Sequence, residues 1–374
     1  MARVRVRRPG LMHATAAVIA AGLLAGCSAA APGSGAPAAG PPVGPSTGGA
    51  VDPGGGLSAD SVDSLVASRL AAPYAAAPYV MPHIGRQPDL VALMRLTGIR
   101  GFTLSFVVSN GRCSPTWADN GASALGDQAL AARIAAVRRA GGDVTVSFGG
   151  YGGKKLGEAC RNAKATAAAM QRVIDAYQVR SIDFDIEMPE WNNRAALDRE
   201  TGAAAILQRT AAAAHRPLAV SVTMPFNPRG ELYTRAAQVM DSVKRSGLRP
   251  TVWSTMVFNE GTRRTNVVSM TQQYMAAFHR LLHQKYPNAT NAQVNAATGL
   301  VLMNGLTDSG SIYTVSSFQL LTAYAKRSGY SRFTFWELNR DRQCARASNT
   351  VQENCSGTGQ GLWQFTHTTA AFAR

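Results

Sequence analysis

Ser181-Ile182-Asp183-Phe184-Asp185-Ile186-Glu187 is the stretch that decides how this chain folds. β-Branched and aromatic residues alternate with acids, and Met188-Pro189 ends the run, so it reads as a β-strand. Side chains on a strand alternate faces, so Asp183, Asp185 and Glu187 point one way and Ile182, Phe184 and Ile186 the other, into an apolar layer. Three acids on one face of a buried strand repel one another unless they share protons. Sharing raises the pKa of at least one of them, which a general acid working near neutrality requires. An acidic edge strand does not fit the strongly apolar opposite face, and no Asp/Asn-rich loop follows to make a calcium site. The acids read as catalytic.

Similar β-rich runs flank this one. Strands are expected at Tyr79–Met81, Gly101–Val108, Asp143–Gly149, Ser181–Glu187, Leu218–Met224, Thr251–Phe258, Ala297–Met303 and Arg332–Trp336. Segments of helical periodicity lie between them, at Gln87–Thr97, Gly126–Ala140, Ala163–Tyr177, Arg194–Ala214, Leu232–Ser246, Val267–Lys285 and Ser316–Ser328. Alternating strand and helix implies parallel strands, and eight of them make a single (β/α)8 TIM barrel more economical than an open doubly wound sheet. No Gly-x-Gly-x-x-Gly opens the first helix, which weighs against a dinucleotide fold. Chemistry in such barrels sits at the C-terminal strand ends, and Glu187, as the last residue of strand four, falls there. Strand three ends Ser147-Phe148-Gly149-Gly150, where glycines let the backbone approach a neighbour or a substrate closely. Strand six ends Met256-Val257-Phe258-Asn259-Glu260 and strand eight Phe335-Trp336-Glu337. Acids beside Trp336, whose flat face suits a sugar ring, favour a carbohydrate site.

The N-terminus carries Arg3, Arg5, Arg7 and Arg8, an apolar run from Ala14 to Ala25, and Leu24-Ala25-Gly26-Cys27. This composition reads as a secretory signal over residues 1–26, with a lipobox-like ending that would leave Cys27 lipid-modified and the protein anchored to the membrane facing outside; cleavage elsewhere would release it. The apolar run is too short for an ordinary transmembrane helix. Residues 27–56 are nearly all Ala, Gly, Pro and Ser, a flexible tether without enough apolar surface to fold. Residues 57–374 are then the barrel domain, expected to be a monomer.

Four further cysteines, Cys113, Cys160, Cys344 and Cys355, suggest two disulfides in an exported protein. Three pairings are possible; the nearness of Cys344 to Cys355 leaves Cys113 for Cys160. No CxxC spacing supports zinc. His279 and His283 lie four apart on a helix without an H-E-x-x-H pattern, and His83 reads as a satisfied structural histidine, so no metal is expected. The net charge is +16, or +12 without the four leader arginines. The basic residues are scattered without aromatic interleaving, which argues against nucleic acid as the partner.

Taken together, these residues resemble glycoside hydrolase family 18, the chitinase family. Asp183-Phe184-Asp185-Ile186-Glu187 is similar to its D-x-D-x-E, and Ser147-Phe148-Gly149-Gly150 to its S-x-G-G. Thr223-Met224-Pro225, Met303-Asn304-Gly305 with Asp308, and Trp336 through Asn339-Arg340-Asp341 are similar in order and spacing to actinobacterial members. The resemblance implies hydrolysis of β-1,4-linked N-acetylglucosamine in chitin or chito-oligosaccharides, by a substrate-assisted retaining mechanism without metal or organic cofactor. Glu187 would protonate the glycosidic oxygen, Asp185 would orient the acetamido group, and Asp183 would exchange a proton with Asp185. Trp336 would floor the sugar pocket, with Met256, Phe258, Asn259, Gly149 and Gly150 as further substrate-binding positions. The same machinery would serve an endo-β-N-acetylglucosaminidase, and a decayed site would leave a glycan-binding protein.

Three departures stand out. Arg180 replaces the first Asp of the longer D-x-x-D-x-D-x-E pattern. Phe258-Asn259 stands where many members have Tyr-Asp or Met-Asp, and Phe258 offers no hydroxyl to an acetamido oxygen. Glu190-Trp191 follows the acids, either lining a subsite or capping the next helix.

Overall fold

The computed structural model describes Leu65, residues 70–85 and residues 87–374. The expected signal peptide, Cys27 and the tether lie outside the described residues.

Eight parallel strands pair in chain order: β1 (Tyr79–Val80), β2 (Gly101–Ser109), β3 (Asp143–Gly149), β4 (Ser181–Asp185), β5 (Ala219–Pro225), β6 (Val252–Met256), β7 (Thr298–Met303) and β8 (Arg332–Trp336). Each is followed by a helix: α1 (Leu90–Thr97), α2 (Gln128–Arg139), α3 (Ala163–Tyr177), α4 (Arg194–Ala213), α5 (Gly230–Ser246), α6 (Val267–Lys285), α7 (Val315–Ser328) and α8 (Gln364–Ala370). This is a (β/α)8 barrel. No backbone ladder joins β8 to β1. Side chains close that seam instead: Thr334 Oγ1 and Thr103 Oγ1 donate to the Ala77 carbonyl at 2.6 and 2.9 Å. Asn339 adds a clasp, accepting from Met81 N–H at 3.0 Å and donating to Met81 O at 3.2 Å.

Period two in the strands sorts the layers. Val144, Val146, Ile182, Phe184, Val220 and Val222 are buried and face the helices, and Phe148 stacks on Phe184 at 5.8 Å. The helices answer with stripes such as Met170, Val173, Ile174 and Tyr177 on α3. Short polar side chains start the helices: Asp89, Asn162, Asn193 and Thr314 each accept backbone N–H groups of the first turn.

β4 ends at Asp185, two residues before the expected end. Ile186 N–H still reaches Thr223 O at 2.9 Å, but Pro189 has no N–H to give, and the chain turns into a 3₁₀ segment at Glu190–Asn192. Glu187 therefore stands beyond the strand, at the mouth of the barrel. Two disulfides brace that end: Cys113–Cys160 ties the segment after β2 to the one after β3, and Cys344–Cys355 closes the loop after β8.

Candidate active site

A cleft of about 680 Å³ opens at the C-terminal ends of the strands. Asp185, Glu187 and Asp308 bring carboxyl groups to it, and Trp336, Phe106, Tyr79, Tyr151 and Trp191 bring aromatic surface. Phe106 comes from β2, next to a register shift between Leu104 and Val107, a kind of irregularity that re-aims side chains at active sites. Its ring lies nearly parallel to Trp336, at 5.3 Å and 13°. The expected positions Trp336, Met256, Phe258 and Asn259 all line the cleft.

Gly149 and Gly150, expected to touch substrate, are not among the lining residues; they shape the wall from behind. Gly149 has φ +114°, and a Cβ there would lie 2.1 Å from the Asp185 carbonyl oxygen. The bare Cα lets Gly150 N–H donate to that same oxygen at 2.8 Å, which fixes the Asp185 backbone. A Cβ on Gly150 would meet the Phe106 ring at 2.5 Å. Gly149→Ala is expected to destabilise the fold by about 3 kcal/mol, from left-handed backbone strain added to the clash. Urea unfolding checks this, and an alanine variant as stable as the parent would refute it.

Asp183 sits inside the barrel below the cleft, with no exposed surface. One carboxylate oxygen accepts from Arg332 Nη1 at 2.9 Å and Thr223 Oγ1 at 2.7 Å; the other accepts from Tyr79 Oη at 2.9 Å and Ser147 Oγ at 2.8 Å. No hydrogen bond joins it to Asp185. The expected proton exchange between the two therefore requires Asp183 to release one of its donors.

Asp185 is the opposite case. Its Oδ1 is buried without a hydrogen-bond partner. Burial pushes its pKa well above the ordinary carboxyl range, and the neighbouring Glu187 and Asp183 charges push it further. Burial also pushes Glu187 up to about 7, against the opposing Lys155 ammonium and with a further push from Asp308. The two acids with raised pKa values, Asp185 and Glu187, thus follow in the chain an Asp183 already tied to four donors.

The remaining expectations sort by place. Trp191 lines the cleft, whereas Glu190 is buried behind it. Glu260 accepts from Asn227 and from Tyr274 Oη, away from the lining. His83 lies between Asp119 and Asp127, its Nδ1 at 3.0 Å from Asp119, as a satisfied structural histidine. His279 pairs with Thr298 and His283 with Asn291, and no metal-binding cluster occurs among the described residues. Sequence reading missed Arg332, Tyr79 and Phe106. Arg332 and Tyr79 project inward from strand positions that look like ordinary barrel core, so only the three-dimensional packing reveals their roles.

Burial raises several other carboxyls at this end: Glu200 to about 7, Glu337 to about 8 and Asp341 to about 6. A raised acid binds its proton more tightly folded than unfolded. Its contribution to stability is full below the unfolded value of about 4 and is lost as pH rises through the folded value. The melting temperature is therefore expected to be higher at pH 5 than at pH 8. Melting curves in matched ionic strength decide this, and a higher midpoint at pH 8 would contradict it.

No family model matches the chain. In sequence it is similar to a probable bifunctional chitinase/lysozyme of Escherichia coli (strain K12), 27% identical over 277 residues, covering 71% of this chain and 30% of that protein. It is equally similar to Endochitinase 11 of Metarhizium anisopliae, 27% identical over 282 residues, covering 72% and 53%. The chain thus spans about a third and about half of the length of these relatives. In structure it matches the catalytic domain of a hyperthermophilic chitinase from Pyrococcus furiosus with a TM-score of 0.70 and 25% identity, covering 79% of this chain and 93% of that domain. Likeness in sequence and in fold together support kinship with the chitinase-type glycoside hydrolases.

Proposed function

We propose that this chain hydrolyses β-1,4-linked N-acetylglucosamine in chitin or chito-oligosaccharides, with Glu187 as the general acid and the substrate's own acetamido group as the nucleophile. The observation that carries this reading is the half-buried Glu187, shifted to about 7 at the cleft mouth. At that value a useful fraction stays protonated near neutral pH and can be given to the glycosidic oxygen. Trp336, stacked on Phe106, offers a flat floor for the sugar whose bond breaks. As the acetamido carbonyl attacks the anomeric carbon, positive charge develops on the resulting ring, and Asp185 lies beside Glu187 to orient the N–H and stabilise that charge. Water then opens the intermediate on the face the leaving group vacated, with Glu187 taking its proton, so configuration is retained.

Phe258 leaves the acetamido oxygen without a tyrosine hydroxyl. Losing one such donor costs on the order of a hundredfold in rate, so slow turnover fits this reading. Export, and lipid attachment at Cys27, belong to the same proposal, on the strength of the N-terminal sequence.

The test is hydrolysis of chitotetraose and chitohexaose followed by proton NMR. The β-anomer of the new reducing end should appear first. The α-anomer appearing first would sink the substrate-assisted mechanism. Oligosaccharide binding without turnover would leave a glycan-binding protein.

A further inference from the structure

Basic residues that are scattered in the sequence gather at one end of the fold. Helices α1, α2, α5, α6 and α7 all carry Lys or Arg in the last turn. Each helix runs back against its strand, so these ends meet at the strand starts, opposite the cleft. Arg100, Arg180 and Arg216 stand in the loops that enter β2, β4 and β5 on the same face. Arg95, Arg139, Arg180, Arg209 and Arg327 are exposed there, without a hydrogen bond or ion pair among the described residues.

Acids are few on this face, and they are engaged. Asp143 pairs with Arg138 at 2.8 Å and Asp241 with Lys285 at 2.5 Å. Asp175 accepts from Gln171 Nε2 at 2.9 Å. It shares a recess of about 320 Å³ between the ends of α3 and α4 with Arg180, His215 and Arg216. The cleft has the other polarity: Asp185, Glu187 and Asp308 line it, and no Lys, Arg or His does. Helix dipoles favour a cation at each C-terminus. They do not call for two at the ends of α2, α5 and α7, nor for Arg180 beyond the end of α3.

The chain also enters the domain on this face. A helical turn, Ala72–Ala75, leads into β1 beneath the strand starts, and Tyr74 Oη donates to Asp143, the first residue of β3, at 2.6 Å. A tether from the lipid proposed for Cys27 would therefore attach at the basic end, not beside the cleft.

We propose that the strand-start face of the barrel docks on an anionic phospholipid surface, with the acidic cleft turned outward. Two separate observations point there, the sign of the charge and the place where the chain enters. The docking goes beyond the hydrolase reading and stands whether or not the cleft turns over chitin.

The test uses the full chain, in a Cys27→Ala background so that no acyl chain masks the effect. Co-sedimentation is measured with vesicles of phosphatidylcholine, with and without phosphatidylglycerol. Arg95→Gln/Arg139→Gln/Arg180→Gln/Arg327→Gln removes four exposed cations from the docking face. Arg112→Gln/Arg161→Gln/Arg264→Gln/Arg346→Gln removes four from the loops after β2, β3, β6 and β8, at the cleft end. Net charge falls equally in both, and the leader arginines are common to all three proteins. A cation close to an anionic bilayer is worth about fivefold in affinity. The first variant should therefore bind anionic vesicles at least about thirtyfold more weakly than the parent, and the second within about threefold of it. Raised salt should weaken the parent and narrow that gap. Equal losses in the two variants would overturn the assignment, as would a parent that prefers neutral vesicles or binds soluble polyphosphate but no vesicle. None of the four arginines on the docking face has a partner to lose, so the first variant should melt like the parent. If it does not fold, Arg95→Gln/Arg327→Gln and Arg139→Gln/Arg180→Gln replace it; each should lose about tenfold, and unchanged binding in both would overturn the proposal.

Discussion

Glu187→Gln is expected to lower turnover of chito-oligosaccharides by about a thousandfold, within the range that a general acid contributes. Glutamine matches glutamate in size and keeps a hydrogen-bonding group at the cleft mouth, so the fold and the sugar site should survive. The variant lacks a proton that can be delivered to a departing oxygen. It also removes a charge that raises the pKa of Asp185, so Asp185 should ionise at lower pH than in the parent. Binding of an acetamido sugar, which uses the N–H and the aromatic floor, should therefore persist within a few-fold. The parent enzyme should lose kcat/KM as pH rises past about 7, because the acid form of Glu187 is the working form. Isothermal titration with chitotetraose beside a reducing-end assay separates the two effects. Turnover within tenfold of the parent would remove Glu187 from the acid role. Lost binding together with lost turnover would mean that the substitution disturbed the cleft itself.

The barrel was legible because its strands are short, β-rich and separated by helices with clear stripes. α3 and α6 fall on the expected residues, Ala163–Tyr177 and Val267–Lys285, as do β3 and β8. Boundaries slipped where sequence pattern outlasts hydrogen bonding. Ile186 and Glu187 continue the alternation of β4, yet Pro189 and the 3₁₀ turn draw the chain out of the sheet. Short pieces such as Asn291–Ala296 and the ribbon Gly305–Leu306 with Ile312–Tyr313 escaped notice, since two to six residues carry too little periodicity to stand out.

Legibility of the site followed a similar line. Period two put Asp183 and Asp185 on one face, and the converging strand ends put Trp336, Met256, Phe258 and Asn259 beside them. The sequence could not tell the acids apart. Asp183 differs from Asp185 only through what faces it across the barrel: Tyr79 from β1, Ser147 from β3, Thr223 from β5 and Arg332 from β8. Those residues are up to 149 positions away in the chain, and no local pattern links them. The sequence reads Gly149 and Gly150 as letting the backbone approach a neighbour or a substrate closely; the neighbours they approach are the Asp185 backbone and the Phe106 ring.

The Arg332–Asp183 pair makes the second large prediction. Both side chains are buried in the barrel interior, and the guanidinium also donates to Thr103 Oγ1 at 3.2 Å and lies 5.5 Å from the Tyr79 ring centroid. Arg332→Met fills similar space but leaves Asp183 buried without its countercharge. Breaking a buried pair from one side costs about 3–5 kcal/mol, since the remaining charge has no water and only the neutral hydroxyls of Tyr79, Ser147 and Thr223 to hold it. Arg332→Met/Asp183→Asn removes both charges and keeps one acceptor oxygen for Tyr79 and Ser147, while the new amide nitrogen can donate to Thr223 Oγ1, so it should recover a good part of that loss. Activity is expected to behave differently from stability. The double variant folds better but loses both the Asp183 charge that pushes the Asp185 pKa upward and the smaller opposing pull of Arg332, so on balance Asp185 should ionise at lower pH and the optimum should move down. Chemical denaturation of the two variants and the parent, followed by pH profiles of the folded ones, reads both effects. If Arg332→Met alone costs less than about 1 kcal/mol, the pair is not what holds Asp183. If the double variant keeps the parent's pH profile, Asp183 does not act on the reaction through its charge.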